Sequence, residues 1–489
     1  MQQKKYVISL FSIVVLLLPG LSTGLSTIED IDPLVDLSIT IDILKIRSLE
    51  KDDPQVNAKE IIDQGGNPDF YVKLFINNHE FISDTYWNVK YLYNPNFSVS
   101  YDIPDDEETV DIVVQLWDAA DSNIQNDRLC DISPDSGSND DSYDVELSYN
   151  VKNGHWTGDD QLHDLSGYGR LNGCDDGTIY EANRDCELWF TISQNDFDQD
   201  QIPYYMETMV YQTDPQVNDA EIDYDVDKIP TWWEWKYEYN PKQWDDHENI
   251  DDEVDGINNY EEFLTSQWNS DPFTRDVFME LDQMDDGPNG ESCQLPEGSK
   301  EILYTAYNRQ NVIYHLDDGS WGEESGSDII PFDAITECSW RSYDELDQIY
   351  DEYYNRYNDE VWRRGVFHYG VVIYQSSIVN GNQFGSNRFQ ISAKGMEEKL
   401  NIPWLQRDIV YASAYMHETG HTFNFRPIPG HNTASYYPWQ LGFWLSRTYK
   451  SCMNYGYMYT VVDYSDGSRP FGDYDDWERM DLTSFQNDW

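Results

Sequence analysis

The sequence predicts a multi-domain protein with an all-β N-terminal part, a strongly acidic middle part and a mixed α/β C-terminal part. Short runs with period-two alternation of apolar residues recur between residues 35 and 192. The block 196–262 holds 21 acidic residues against three lysines. After Pro272, patterns typical of buried strands and of helices are mixed. With 489 residues, the chain is long enough for several hydrophobic cores.

The net charge excludes one class of partner. The 92 acidic and 31 basic residues leave a formal charge of −61. Phosphate backbones are bound by positive fields, so we expect no nucleic-acid partner. Apolar residues make up 39% of the chain and aromatic residues 15%, which is too much for a disordered acidic tail. Such a chain repels itself unless it folds in salt, binds cations, or both.

Residues 1–24 have the layout of a signal peptide. Lys4 and Lys5 precede an apolar run at 7–18, and Pro19, Gly20 and small residues follow. The run is too short to span a bilayer comfortably. We therefore expect a secreted or cell-surface protein, with an uncleaved N-terminal anchor as the alternative.

Six cysteines are compatible with export, where disulfides are plausible. They contain no C-x-x-C pair, so a cysteine zinc site is not expected. We expect the pairs Cys174–Cys186 and Cys293–Cys338, although spacing alone leaves the connectivity open.

Residues 35–192 are predicted to form a β-sandwich. Connections rich in Asn, Asp and Gly separate several short strands, and two packed sheets are the natural way to bury their apolar faces. The predicted strands are 37–46, 70–76, 110–116, 145–151 and 188–192.

Two acidic loops of this sandwich carry a resemblance. Asp63-Gln-Gly-Gly-Asn-Pro-Asp69 precedes the second strand, and Asp118 leads on to Asp127. The arrangement resembles the C-two type of calcium-binding sandwich, in which carboxylates from two loops hold Ca²⁺ against a lipid or a partner. The resemblance implies calcium ligands at these four aspartates and contact with a membrane surface or the cell envelope. Ala120 stands where the family has its next carboxylate, so a plain sandwich with acidic loops is the alternative.

A twelve-residue pattern recurs three times in residues 196–271. Each copy has carboxylates at positions 1, 3 and 5, isoleucine at position 7 and glutamate at position 12, and the copies start 27 and then 28 residues apart. This spacing suits Ca²⁺, which takes six to eight oxygens from alternating carboxylates, a backbone carbonyl at position 7 and a bidentate glutamate at position 12. The predicted ligands are Asp196, Asp198, Asp200, Ile202 and Glu207 in loop one, Asp223, Asp225, Asp227, Ile229 and Glu234 in loop two, and Asp251, Glu253, Asp255, Ile257 and Glu262 in loop three.

The repeats resemble thrombospondin type-3 and EF-hand-like calcium repeats. Gly256 provides the sharp turn at position 6 of loop three, whereas Gln201 and Lys228 occupy that position in loops one and two. We therefore expect the first two loops to bind Ca²⁺ less tightly. The alternative, a solvated acidic linker, gives no reason for a repeated ligand pattern.

Residues 272–489 are predicted to form one α/β domain that contains the strongest motif of the chain. Strands are expected at 277–281 and 366–373, and helices at 300–311, 343–354 and 409–425. The last helix holds His417-Glu-Thr-Gly-His421. Helical residues i and i+4 face the same way, so both imidazoles can bind one Zn²⁺ while Glu418 takes a proton from an attacking water. A core-facing histidine pair is the alternative for these five residues alone.

A second motif lies downstream of this helix. Cys452-Met453-Asn454-Tyr455 places its methionine 32 residues after His421 and resembles the Met-turn of the metzincin zinc peptidases. The resemblance covers about residues 272–489 and implies an exported prokaryotic-type endopeptidase with a protein or peptide substrate. It also implies that Met453 packs beneath the metal and that Tyr455 contacts the metal or stabilises an oxyanion. A simply packed aromatic ring is the alternative for Tyr455.

The third zinc ligand departs from the family. Pro427 stands at the family's position, ten residues after His417, and cannot bind zinc. Asn424 replaces the family's glycine, and asparagine tolerates left-handed backbone geometry. We expect His431 to be the third ligand, with Asp463 as the alternative.

The sequence thus predicts an exported, calcium-stabilised zinc endopeptidase with Zn²⁺ and Ca²⁺ as cofactors. The alternative is a non-catalytic, calcium-dependent surface adhesion protein with a degenerate protease domain. The third zinc ligand discriminates between the two.

Overall fold

The computed structural model describes residues 31–50, 67–120, 126–136, 143–179, 184–322, 325–339, 344–355 and 361–486. The predicted signal peptide and Asp63 lie outside these ranges. Within them the strands form three sheets. No helix in these ranges combines the length and apolarity needed to cross a bilayer.

The N-terminal part is a β-sandwich, as predicted. One sheet has the strand order β4-β1-β10-β9, and the other has the order β3-β2-β5-β7-β8 with β6 also paired to β5. Apolar residues of both sheets form one buried core because strands such as β5 alternate buried and more exposed side chains. The strands are β1 (Ser38–Ser48), β2 (Phe70–Ile76), β3 (His79–Ile82), β4 (Tyr91–Asp102), β5 (Thr109–Asp118), β6 (Arg128–Cys130), β7 (Val145–Asn150), β8 (His155–Gly158), β9 (Arg170–Asn172) and β10 (Cys186–Gln194).

Strand β4 is long but was not predicted, because its sequence interrupts the alternation. It contains Pro95 between Asn94 and Asn96, and both asparagines have a positive φ. The register of β1 against β4 shifts at this point, between Ile43 and Lys45. The strand therefore continues through a bulge that a period-two pattern does not show.

The expected disulfides do not form. All six cysteines are buried and unbonded. The thiol of Cys186 lies beside that of Cys130 rather than beside Cys174, whose Sγ lies 3.5 Å from Asp185 Oδ2. An isolated bridge between Asp131 and Asp185, which adjoin these two cysteines in the chain, brings the thiols together, and sequence separation does not reveal it.

The acidic middle part consists of loops joined by short helices. A π-helical turn at Met206–Tyr211 follows loop one, α1 (Thr231–Lys236) follows loop two, and α2 (Asn259–Thr265) follows loop three. Each carries the position-12 glutamate of its loop. The repeat of sequence is therefore a repeat of structure.

The C-terminal part is α/β. Its sheet has the order β12-β11-β14-β16-β15 with β13 paired to β11, and only the edge strand β15 is antiparallel to its neighbour. The strands are β11 (Arg275–Met284), β12 (Val312–Asp317), β13 (Ile329–Ile330), β14 (Phe367–Ile373), β15 (Gly381–Gln383) and β16 (Arg388–Ser392). The helices are α3 (Glu297–Asn308), α4 (Glu345–Ile349), α5 (Val361–Val366), α6 (Ala393–Lys399), α7 (Arg407–Thr422) and α8 (Leu441–Ser446).

Three predicted helices differ in extent, and α7 ends at Thr422, three residues before its predicted end. Helix α3 ends at Asn308, three residues before the predicted end, and Asn311 has a left-handed φ of 50°. The predicted helix at 343–354 is α4 followed by a π-helical turn at Tyr350–Tyr354.

Candidate metal centres

Helix α7 carries both motif histidines inside the C-terminal core. Thirteen of its sixteen residues are buried, including His417 and Glu418. The Nδ1 atom of His417 lies 2.8 Å from the carbonyl oxygen of Cys452. A proton on Nδ1 satisfies that carbonyl, so the Nε2 lone pair is left for a metal.

The third imidazole comes from the turn after α7. Nε2 of His431 lies 3.1 Å from Nε2 of His421, and ligand atoms of His417, His421 and His431 all lie within 4.8 Å of one another. Two nitrogens of a tetrahedral zinc site, each about 2.05 Å from the metal, are about 3.3 Å apart. The spacing of the imidazoles therefore matches that of a shared metal.

Backbone geometry brings His431 to this position. Asn424 has a φ of 57°, which lets the chain turn at the end of α7. Gly430 has a φ of 76°, and a Cβ atom there would overlap the side-chain amide of Asn454. Asp463, the alternative ligand, is engaged elsewhere: its Oδ1 accepts a hydrogen bond from Trp477 and its Oδ2 lies 3.8 Å from Arg309.

Burial keeps the three imidazoles neutral. It is the largest cause of a lowered pKa at each of them, and it lowers the pKa of His421 to about 3. A neutral imidazole is the form that donates a lone pair to a metal. These donors therefore suit a borderline dication such as Zn²⁺.

Glu418 is a buried carboxylate with an unused oxygen. Its side chain is 3% exposed, and among the described residues its Oε2 has no hydrogen-bond partner. Burial raises the pKa of Glu418 to about 8. Such a group is suited to accept and return a proton near neutral pH.

Gly381 on the edge strand β15 was not predicted but positions this carboxylate. A Cβ atom at residue 381 would overlap Oε1 of Glu418. Only a glycine lets the strand and the glutamate approach so closely. No short motif in the sequence marks this contact, because it arises from packing of β15 against α7.

We expect Gly381→Ala to reduce peptide hydrolysis by about 10–100-fold, because the added methyl group displaces the Glu418 carboxylate from its position beside the reacting atoms. The measurement is kcat/KM on a peptide substrate, with melting temperature as a check on folding. Gly365→Ala is the matched control, since its added methyl meets only Glu261 Oε1, at 3.5 Å. Equal activity of the two variants would contradict a positioning role for Gly381.

Met453 packs against helix α7, and Tyr455 packs against the histidines. Met453 is fully buried, and a Cβ atom at Gly420 of α7 would lie 2.5 Å from its Sδ. The Tyr455 ring lies with its centroid 4.3 Å from that of His431 and stacks on Tyr436. Burial raises the pKa of Tyr455 to about 12, so its hydroxyl stays a donor at neutral pH.

An open cleft gives access to the histidines. It has a volume of about 630 Å³ and is lined by His421 and His431, by Gln383 of β15 and by residues 424–428. A volume of this size accommodates several side chains. The cleft therefore runs between the edge of the sheet and the turn that carries His431.

The three acidic loops share one backbone geometry. The position-1 carboxylates of Asp196, Asp223 and Asp251 accept hydrogen bonds from N–H groups of their own loops. Positions 4 and 6 are left-handed in every loop, so Gln201 and Lys228 adopt the conformation of Gly256 without being glycine. The φ angles are 68° and 71° at Gln199 and Gln201, 68° and 88° at Val226 and Lys228, and 61° and 96° at Val254 and Gly256.

Carboxylate oxygens face inward in each loop without a partner. Buried oxygens at positions 3 and 12 have no hydrogen-bond partner among the described residues, and an unpaired buried carboxylate is strongly unfavourable. Burial, followed by neighbouring carboxylates, raises the pKa of Glu207 and Glu234 to about 9 and of Glu253 to about 11. The donor set therefore fits a hard dication such as Ca²⁺. The unpaired groups are Asp198 and Glu207, Asp225 and Glu234, and Glu253 and Glu262.

Each loop also receives residues from outside the twelve-residue pattern, which the sequence analysis did not include. The position-5 carboxylates accept hydrogen bonds from the N–H groups of Asp219, Asp245 and Asp276, in loops one, two and three respectively. The side chain of Asp219 converges with loop one, and that of His247 converges with loop two. Each of these outside residues follows the position-5 carboxylate of its loop by 18 to 21 residues. This repeated spacing is the signal in the sequence that could have revealed them.

Loop three is bonded to the C-terminal sheet. The N–H of Asp276, at the start of β11, donates to Asp255 Oδ2 at 2.6 Å. The side-chain amide of Gln486 donates to the carbonyls of Gly256 and Gly365. The loop, the sheet and the turn that holds Gln486 are therefore joined by hydrogen bonds.

The sandwich aspartates are already occupied by hydrogen bonds. Asp118 Oδ1 accepts from the N–H of Asp69, whose own Oδ1 accepts from the N–H of Asn88. Asp127 accepts from the N–H of Ala120 and the hydroxyl of Tyr71. Calcium binding there stays a prediction.

Comparison with known proteins gives only weak similarities. No family model and no curated protein matches the chain. A solved C2 domain is 13% identical over 32% of this chain and 98% of its own length, with a TM-score of 0.18. Human GIVD cytosolic phospholipase A2 is 11% identical over 32% of this chain and 16% of its own length, also at 0.18. Extended synaptotagmin 2 is 12% identical over 33% and 28% of the two chains, again at 0.18.

These structures do not assign a function to the chain. All three TM-scores are far below 0.5, and the chain spans less than a fifth of the length of the phospholipase. The two packed sheets of the sandwich rest on their own strand pairing and shared core.

Proposed function

We propose that the chain is an exported zinc-dependent endopeptidase of metzincin type, stabilised by Ca²⁺. The observation that carries the proposal is the convergence of His417, His421 and His431 beside the buried carboxylate of Glu418. Three nitrogen donors with an open side are the ligand set of a catalytic zinc rather than a structural one. Bound there, zinc would polarise a substrate carbonyl and make a water molecule more acidic.

Two side chains of the protein would carry out the remaining steps of the reaction. Glu418, buried and unpaired at Oε2, would accept the proton of the attacking water and pass it to the leaving amine. Tyr455, which packs against His431, stays protonated and would donate a hydrogen bond to the developing oxyanion.

The edge strand β15 offers a place for an extended peptide. One edge of β15 pairs with β16, and within the described residues β15 is the last strand of the sheet, so its other edge is open. Gly381 of this strand lies against Glu418. A peptide that adds to this edge as a further strand would present its carbonyls to the cleft at regular intervals. This geometry supports a polypeptide substrate cleaved within the chain.

The test of the proposal is zinc content and casein cleavage of the wild type beside His431→Ala. We expect one zinc at the three histidines of the wild type, and cleavage that a chelator abolishes and added zinc restores. His431→Ala removes one of three nitrogen donors, so its zinc affinity should fall by at least about tenfold. The readout is zinc retained after dialysis against graded chelator.

His79→Ala is the control for loss of a histidine, since His79 is exposed on the sandwich. Zinc retention by His431→Ala equal to that of the wild type would remove His431 from the site. A wild type that holds zinc but cleaves neither casein nor a peptide library would favour the alternative, a calcium-dependent surface protein with a degenerate protease domain.

A further inference from the structure

The second acidic loop contains a nitrogen donor. Atoms of Asp227, Glu234 and His247 lie within 4.8 Å of one another, and all three side chains are buried. His247 Nε2 lies 3.3 Å from Asp227 Oδ2. Within the described residues, both oxygens of Glu234 and of Asp225 have no hydrogen-bond partner. Loop two therefore holds buried carboxylate oxygens without partners beside an imidazole. Such oxygens need a bound cation or a proton to offset their burial.

The packing around His247 directs its Nε2 into the loop. The ring meets Trp233 and Tyr239 edge-on, with centroids 5.8 and 4.9 Å away. On the opposite side of the ring, the Asn259 amide lies 3.1 Å from Nδ1, and its own buried Oδ1 has no partner. Rotating this amide by a half turn lets Oδ1 accept a hydrogen bond from Nδ1–H, which leaves the Nε2 lone pair facing Asp227 and Glu234.

Loop one has oxygen at the corresponding place. There Asp219 converges with Asp200 and Glu207, so every side-chain donor is a carboxylate. Loop two has otherwise the same backbone and the same ligand positions, but an imidazole completes it. Ca²⁺ favours all-oxygen sites, whereas imidazole favours first-row transition metals.

We propose that His247 Nε2 is a metal ligand of loop two, and that this loop selects a first-row transition-metal dication over Ca²⁺, in contrast to loop one. The proposal concerns ion identity within the repeat block and does not depend on peptidase activity. Its ligand class is a mixed set of carboxylates and one imidazole around a dication that accepts nitrogen ligands, such as Ni²⁺ or Zn²⁺.

The experiment measures Ni²⁺ binding to the full chain by equilibrium dialysis, in the presence of millimolar Ca²⁺. The wild type is compared with His247→Asp, which makes loop two all-oxygen like loop one, and with His79→Gln as the control. The candidate zinc centre is the same in all three proteins, so any difference reports on loop two. We expect His247→Asp to bind one Ni²⁺ fewer than the wild type, because the dissociation constant of that ion rises at least about tenfold, with the number of bound Ca²⁺ ions kept or raised by one. His79→Gln should bind Ni²⁺ as the wild type does.

A second variant keeps the test decisive if His247→Asp does not fold. The amide of His247→Gln can still donate to Asp227, so it preserves a purely structural hydrogen bond while removing the imidazole ligand. Loss of one bound Ni²⁺ in His247→Gln with Ca²⁺ still bound supports the proposal. Wild-type Ni²⁺ binding in either folded variant would overturn it and leave His247 as a structural partner of Asp227.

Discussion

Glu418→Gln is expected to lower casein hydrolysis by about 10²–10⁴-fold while zinc stays bound and the melting temperature does not fall. The amide has the shape of the carboxylate but cannot accept a proton. The three imidazoles are untouched, and Glu418 has an unpaired oxygen, so no hydrogen bond at Oε2 is lost. Replacing a buried carboxylate that has one unpaired oxygen by a neutral amide relieves a desolvation penalty, which argues for equal or greater stability.

The control for this substitution is Glu398→Gln, since Glu398 is an exposed acid on α6, outside the cleft. The measurements are kcat/KM on casein or a peptide, zinc per chain and thermal unfolding. Wild-type turnover by Glu418→Gln would show that the assigned proton acceptor is wrong. Loss of zinc together with activity would instead place the carboxylate among the ligands.

Removal of Ca²⁺ is expected to lower the melting temperature and to expose residues 196–262 to proteolysis. The unpaired carboxylates at positions 3 and 12 of each loop face one another at short range, and only the folded loops collect them. Binding to the folded state alone adds about 2.7 kcal/mol per site at a hundredfold excess of ligand over its dissociation constant. Several occupied loops would contribute more, which is a large share of the stability of an ordinary domain.

Sodium chloride at matched ionic strength separates ligation from screening. Screening weakens repulsion between carboxylates but supplies none of the six or more oxygen bonds of a bound Ca²⁺. Limited proteolysis of chelated protein, with either salt restored, should show strong protection by Ca²⁺ and only partial protection by Na⁺. Equal protection by both salts would mean that the acids form a solvated surface.

Local patterns predicted the parts of the sites that lie on one element. His417 and His421 share a helix, so a spacing of four residues predicts their shared face. Positions 1 to 12 of each acidic loop are likewise set by local backbone geometry. The main strands of the sandwich followed from alternation, whereas β4 did not because Pro95 and its asparagines break the pattern.

Contacts between distant elements were not available from such patterns. Gly381 meets Glu418 only because β15 packs beside α7, and His247 reaches loop two only through the fold of the segment after α1. The neighbouring thiols of Cys130 and Cys186 depend in the same way on the bridge between Asp131 and Asp185. Signals of this kind arise from tertiary packing, where residue type and spacing carry little information.

The bond from Asp276 to Asp255 has a mechanical consequence. Asp276 is the second residue of β11, which lies inside the sheet between β12 and β14, so the third loop is bonded to the start of an interior strand. The side-chain amide of Gln486, in the last described turn, donates a hydrogen bond to Gly256 of the same loop. A pulling force on residues 196–262 would therefore be transmitted both to β11 inside the sheet and to the turn that holds Gln486. An ion bound in loop three would stabilise both of these contacts, and its release would weaken both of them at once.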